Sequence, residues 1–413
     1  MTLTHRFSHL LISLSLTTFG TLQSMAQGNT LGMGTEGEQT LSLAERVLKL
    51  EKKTEAISIY FNTHMSLQER ADGDDKGASF VGRQLRFEML GKVGKKWSYR
   101  FRYRLNRPGY QQSDNFSNNI DMMVINYKFN DRFTLSAGKL GCALGGYQYD
   151  DNPIQVLEFC DWLTGIDGFH LGVHASYNVT KNQTLILGLY NTNNDRTKVY
   201  FSEDPDIKSA HFPVAPTLCW SGSFFGGKLQ TLWSYTMLNE VKRNFGHLIM
   251  TGTKLNLKKW QLYLDYYGAW EQVDHHKLIT ADMTSLKLAA ADRYTQGELS
   301  APEAFSILSM PNIARDTRYH TLLLDAHYQP APHWNLTAGF RYERASSADQ
   351  AAIMGHRTNY GYQAAIQWIP DLTQDARVSL AYIGKTTQYD NRMLDDFSRN
   401  RIELSIIYRI KAY

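Results

Sequence analysis

The chain has 413 residues, 44 basic and 40 acidic side chains, and a formal net charge of +4. Mean hydropathy is negative although the chain carries 24 Tyr, 19 Phe and 8 Trp. The near balance of charge excludes a polybasic nucleic-acid binder. No stretch beyond the N-terminus approaches ~18 uninterrupted apolar residues, which excludes a transmembrane helix.

Arg6 precedes an apolar run from Leu10 to Leu22, and Ser24-Met25-Ala26 offers a peptidase site. Residues 1–26 therefore read as a signal peptide cleaved before Gln27. The run is too short for an anchor, which needs ~20 apolar residues. Cleavage removes only Arg6 from the charge count, so any charge preference must come from local arrangement. Residues 27–56 read as a periplasmic leader, rich in Gly, Thr and Gln up to residue 42. Leu43, Val47, Leu50, Thr54 and Ile57 then recur at spacings of 4, 3, 4 and 3. That spacing suits a short coiled-coil seam or a helix packed on the periplasmic mouth of a barrel. At barely two heptads such a helix is marginal alone.

From Ile57 to Tyr413 the period is two. Ile57, Ile59, Phe61, Thr63 and Met65 share one face, and Val81, Leu85, Phe87 and Met89 follow. The clearest segment places Trp97, Tyr99, Phe101, Tyr103 and Leu105 on one face and Ser98, Arg100, Arg102, Arg104 and Asn106 on the other. Successive strand side chains point to opposite faces. An aromatic face backed by three arginines fits lipid on one side and a wet lumen on the other. Further strands centre on Ile125, Leu135, Val173, Leu187, Leu218, Trp233, Thr253, Leu264, Leu322, Phe340, Tyr362, Leu380 and Ile406.

Tight polar turns such as Gly94-Lys95-Lys96, Asn130-Asp131-Arg132 and Lys258-Lys259 separate strands. They alternate with eight longer links, the longest near 271–316. Seven short and eight long connections give about sixteen strands with both chain ends on the short-turn, periplasmic side. Trp97, Trp260, Trp334 and Trp368 sit beside short turns, where a periplasmic aromatic girdle belongs. The final strand, Ile402 to Ala412, can close against Ile57 to Met65. A large soluble β-protein would need a dry inner face. Here the faces opposite the aromatic ones are polar, as in Asn335, Thr337, Gly339, Arg341 and Glu343. The fold class is an all-β transmembrane antiparallel barrel over 57–413, preceded by the short helical segment.

Phe80 to Val93, running into Trp97-Ser98-Tyr99-Arg100-Phe101, resembles the phosphate-selective porin O and P family, as does Thr134-Leu135-Ser136-Ala137-Gly138-Lys139. The resemblance implies trimeric sixteen-stranded anion pores, with an arginine ladder and a lysine cluster at a constriction loop. Arg100, Arg102 and Arg104, with Arg86 and Lys92 on the neighbouring strand, stand for the basic pore lining. The candidate constriction loop, 141–165, departs from the pattern. It has no Lys or Arg and carries Asp150, Asp151, Glu158 and Asp161. If it folds inward, these acids could face the arginine wall. The arginines could equally pair with Glu88 or other lumen acids.

Cys142 and Cys160 bracket that loop. They are either a disulfide, which could contribute ~3 kcal/mol, or two unpaired thiols, and Cys219 suits a small filler of a strand. No Gly-rich phosphate loop, Cys-pair motif or His-Glu-x-x-His signature occurs. No catalytic residues, metal or cofactor are expected. His275-His276 reads as surface histidines of the longest outer loop, and His320 as an outward residue near the rim with no serine nucleophile paired to it. The expected function is passive diffusion of small hydrophilic solutes or inorganic anions through a homotrimeric outer-membrane porin. The alternative is a surface binding or adhesion barrel working through 191–212 and 271–316.

Overall fold

The computed structural model describes residues 57–413 except 73–74, 111, 113, 167, 193–203 and 205. The signal peptide and the heptad segment lie outside the described residues. Sixteen strands run in chain order. They begin with β1 Ile57–Asp72, β2 Asp75–Val93, β3 Trp97–Arg104, β4 Ile120–Lys128, β5 Phe133–Gly141 and β6 Phe169–Thr180. Next come β7 Gln183–Asn191, β8 Ser209–Phe224, β9 Leu229–Val241, β10 Gly246–Asn256 and β11 Trp260–Val273. β12 Arg315–Ala331, β13 Trp334–Ser347, β14 Arg357–Trp368, β15 Asp375–Tyr389 and β16 Phe397–Lys411 complete the sheet. Each strand pairs antiparallel with its sequence neighbours, and β1 closes on β16 in a barrel. Met65 lies opposite Ile406 and Leu67 opposite Leu404 at that seam. Closure leaves no free edge, which a membrane requires because hydrocarbon cannot satisfy unpaired backbone groups.

All the strand centres expected from the period-two pattern fall inside strands. The outward faces are apolar, with Ile125, Leu187, Leu264 and Ile406 all exposed. The girdle rings pack together at the periplasmic edge, Trp97 tilted against Tyr127 at 4.6 Å and Trp260 stacked on Tyr328 at 4.3 Å between centroids. The alternation of short and long links has two exceptions. β1 and β2 are joined across residues 73–74, with Asp72 opposite Asp75, and β9 and β10 across 242–245. β1 and β2 are 16 and 19 residues long, well beyond the ~9–11 that cross a bilayer. Their hairpin extends past the membrane, where both faces are polar and the alternation that marks a strand fades.

Two short helices, α1 Tyr147–Asp150 and α2 Asp161–Gly165, lie in the β5–β6 link. The β11–β12 link forms α3 Leu278–Thr295 and α4 Ala301–Leu308, and α5 Ala351–Met354 lies between β13 and β14. α4 begins with a capping box between Ser300 and Glu303, which fixes its start. α3 turns Ile279, Met283, Leu286 and Ala290 inward. These residues join one hydrophobic cluster with Tyr319 and Leu323 of β12 and Trp162 of the β5–β6 link. The longest outer link thus folds over the lumen.

That cluster corrects the expectation of a uniformly wet lumen. The inner faces of β7 to β11 carry Ile186, Tyr190, Cys219, Leu232, Met250 and Tyr267, all packed inside. The inner faces of β1, β2 and β13 to β16 carry Asn62, Arg86, Arg341, Asn359, Ser379 and Glu403 instead. One half of the barrel is packed dry and the other half is polar. A polar lumen needs only water, but an apolar inner face must be covered, and the β5–β6 link covers it.

Candidate functional site

The β5–β6 link turns inward directly after Gly141 and returns at Phe169. Its seat on the dry wall is a pair of glycines. Gly145 donates its N–H to Ser234 Oγ at 2.7 Å, and Gly146 donates to the Leu232 carbonyl at 3.0 Å. A Cβ at residue 145 would lie 2.3 Å from the Met250 carbonyl oxygen, and Gly146 has φ 88° with the Tyr267 ring against it. Only glycine lets backbone approach backbone this closely and adopts that φ. Gln148 N–H then bonds Asp265 Oδ2 at 2.9 Å on β11, and Asn152 reaches Asn62 of β1 at 3.1 Å. The link therefore crosses the lumen and narrows it.

On the polar wall the arginines gather around two buried carboxylates. Glu88 accepts from Arg100 Nε at 2.8 Å and lies 3.4 Å from Arg409. Asp121 of β4 pairs with Arg86 at 3.0 Å, Arg102 at 3.3 Å and Arg104 at 2.8 Å. Five arginines share two acids, so this storey of the wall carries a net charge of +3. Arg86 and Arg102 are 4% and 3% exposed, whereas Arg100, Arg104 and Arg409 keep 19% of their side-chain surface. The first two are structural counter-charges, and the last three present guanidinium to the lumen. The arginines are paired with Glu88 and Asp121 yet outnumber them. Lys92 lies apart from them, exposed near the periplasmic end of β2. Arg409 and Asp121 went unselected from the sequence. The outward phase of Ile402 to Ile410 put Arg409 inside, which was the available signal.

The acids of the loop do not face this storey. Glu158 accepts from Arg401 at 2.7 Å and Arg83 at 3.4 Å, nearer the outer ends of β16 and β2. Burial disfavours its charge, but Arg401 and Arg83 outweigh that and hold its carboxyl below the usual range. Asp161 pairs with Lys385 at 2.6 Å and Arg357 at 3.4 Å, and accepts from Asn359. Its backbone N–H bonds Glu343 at 2.7 Å. Asp150 is buried beside the dry wall. Glu158 and Asp161 thus tether the loop to β2 and β14 to β16, and the arginine storey below keeps its excess.

Tethering to the dry wall runs through a histidine pair. Trp162 donates to Glu271 of β11 at 3.2 Å, and Glu271 also holds His275 at 3.2 Å and His276 at 3.1 Å. His275 bridges on to Glu240 of β9 at 2.5 Å. The pair is buried among carboxylates and is not a surface feature. Burial opposes charge on His275, but Glu240 and Glu271 outweigh it and raise its imidazole well above 6.5. A value raised on folding gives stability that is complete below the unfolded value and lost as pH rises through the folded one. Protease resistance of the 274–314 link is therefore expected to be flat near pH 6 and to fall on alkaline titration. His275→Gln should show lower resistance with no alkaline fall.

No disulfide joins Cys142 and Cys160, and Cys142, Cys160 and Cys219 are all buried thiols. Cys142 and Cys160 both pack into the apolar cluster, and burial pushes the Cys160 thiol up. A protonated thiol in such surroundings behaves as a small apolar side chain. His320 does face outward, stacked on Tyr266 and bonded to its hydroxyl at 2.9 Å.

Residues 57–410 match the family "Phosphate-selective porin O and P". No curated protein matches the chain. Among solved structures it is similar to the outer membrane channel DcaP of Acinetobacter baumannii. That likeness is 11% identical, with a TM-score of 0.57, and covers 86% of this chain and 97% of that one. The trimer form of OmpT from Vibrio cholerae is 11% identical with a TM-score of 0.52, covering 86% and 100%. The anion-selective porin of Comamonas acidovorans is 8% identical with a TM-score of 0.50, covering 86% and 99%. A closed sixteen-stranded barrel, an inward loop, a charged lumen wall and a match over nearly the whole described chain lead to one assignment: the protein belongs to the phosphate-selective porin O and P family and is an outer-membrane porin for passive diffusion.

Proposed function

We propose that the channel favours small inorganic and organic anions, passing them along the wall of Arg100, Arg104 and Arg409. The observation that carries this is the excess of five arginines over Glu88 and Asp121, with three of the guanidinium groups open to the lumen. Arginine stays charged at any physiological pH, and its fork suits phosphate and carboxylate oxygens. Like charges on a narrow, low-dielectric wall raise the local counter-ion concentration. A homotrimer fits this reading. Phe61, Phe87 and Phe101 form an outward aromatic row with centroids 5.6 and 6.3 Å apart, which could pack against a neighbouring barrel. The β11–β12 link lies folded onto the lumen's core, which gives a surface-adhesion role no support.

The test is the reversal potential of the purified protein in a planar bilayer with asymmetric KCl. The native channel should prefer chloride. Replacing Arg100, Arg102 and Arg104 together with Ala should move the reversal potential toward cations, most visibly in dilute salt where the Debye length is ~30 Å. An unshifted potential in dilute KCl would sink the proposal.

A further inference from the structure

A second polar surface lies away from the arginine wall, on the periplasmic side of the inward loop. An open cleft separates the loop segment from Gln148 to Leu157 from the inner faces of β11 to β14. Its walls bring together three carboxylates, Asp151 from the loop, Asp265 from β11 and Asp325 from β12. Primary amides surround them, and Gln363 donates to Asp325 at 3.0 Å. The rings of Tyr263 and His327 sit at the same wall with centroids 5.2 Å apart, tilted by 53°.

Three buried polar atoms at this cleft lack hydrogen-bond partners among the described residues. Asp265 is 2% exposed, yet its Oδ1 has no hydrogen bond among the described residues, while Oδ2 takes Gln148 N–H and the Tyr267 hydroxyl. The hydroxyl of Thr337, 9% exposed, is likewise unpartnered, as is Gln155 Oε1. Buried polar atoms are normally satisfied, so a cluster of unsatisfied ones lining an opening marks a place for a hydrogen-bonding guest.

We propose that this cleft binds a small neutral polyol of sugar size as it passes the loop, a reading that rests on the channel function above. Carboxylates and primary amides each engage two hydroxyl groups, as acceptors or as donor and acceptor. The tilted Tyr263 and His327 rings offer apolar faces to the C–H side of a sugar ring. Anions are disfavoured by Asp265 and Asp325. A bare cation is disfavoured because the Lys254 ammonium stands 5.0 Å from the Tyr263 ring and the Arg341 guanidinium bonds Gln363 at 2.8 Å. Burial, with Asp150 and the other acids nearby, outweighs Lys254 and pushes Asp151 up to about 8, so at neutral pH it is largely a neutral hydrogen-bond donor. Among the described residues no acid or histidine group is arranged to hold a metal ion.

Single-channel recordings of the whole protein in dilute KCl test this, with glucose, maltose, magnesium chloride or potassium phosphate added on the periplasmic side. Glucose or maltose should interrupt the current in a concentration-dependent way. Asp325→Asn and, separately, Gln363→Ala should each raise the half-blocking concentration about tenfold with open conductance little changed. Three results overturn the proposal: no interruption by either sugar, interruption by magnesium alone, or a sugar block that neither variant weakens. Should the barrel pass no current at all, the channel reading fails instead. Titration calorimetry of glucose into the detergent-solubilised protein then reads the cleft directly, with no binding heat counting against it.

Discussion

Gly145→Val is expected to raise single-channel conductance about twofold or more and to weaken ion selectivity, with the barrel still folded. The added Cβ would lie 2.3 Å from the Met250 carbonyl and 2.8 Å from that of Leu232, both backbone atoms of the dry wall. Neither strand can yield without breaking ladder hydrogen bonds, so the loop moves. Overpacking of this kind costs ~1–3 kcal/mol, enough to unseat a link held by Ser234, Leu232 and Asp265 on this side. The ladder pairing between the strands is untouched. Gly77→Val is the matched control, since a Cβ there meets nothing within 4 Å. Unchanged conductance in a folded Gly145→Val barrel would show that the loop does not set the passage.

The second large effect concerns Asp121. Asp121→Asn should lower the temperature at which the barrel unfolds in detergent and strengthen chloride preference in the protein that remains. Asp121 is 2% exposed and balances Arg86, Arg102 and Arg104. Removing one partner from a buried charged group leaves the others uncompensated, typically at ~3–5 kcal/mol. Arg104 can turn to the lumen, but Arg86 and Arg102 are almost fully enclosed. The heat-dependent gel shift and the reversal potential read the two halves of the claim. A variant as heat-stable as the native protein would mean that Asp121 is not the counter-charge of this wall. Arg86→Met with Asp121→Asn should recover part of the loss, because it removes a buried charge together with its missing partner.

The outward residues were legible in the chain because period two is a local property. Trp97, Phe101 and Ile406 alternate with polar neighbours over a few residues, and lipid outside demands that alternation everywhere. Strand number, the closing pair β1 and β16, the periplasmic girdle and the inward phase of Arg100, Arg102 and Arg104 all follow from it. The resemblance of Phe80 to Phe101 and Thr134 to Lys139 to one porin family pointed the same way, and the match over 57–410 bears it out.

Which inner residues meet across the barrel depended on closure and on the path of one loop. Ile186, Cys219, Leu232 and Met250 alternate no differently from residues of a wet wall with a few apolar members. They became a dry core only because Gly145 and Gly146 bring the loop onto them and α3 covers them from outside. The loop's acids could have faced any basic side chain within reach. Folding put Glu158 against Arg401, some 240 residues away in the chain, and Asp161 against Lys385. Asp121 joined the arginine wall from β4, whose register against β3 is set across the link between them, and Arg409 joined it from β16 by barrel closure. Contacts made across a lumen carry no local period, so only the tertiary structure decides them.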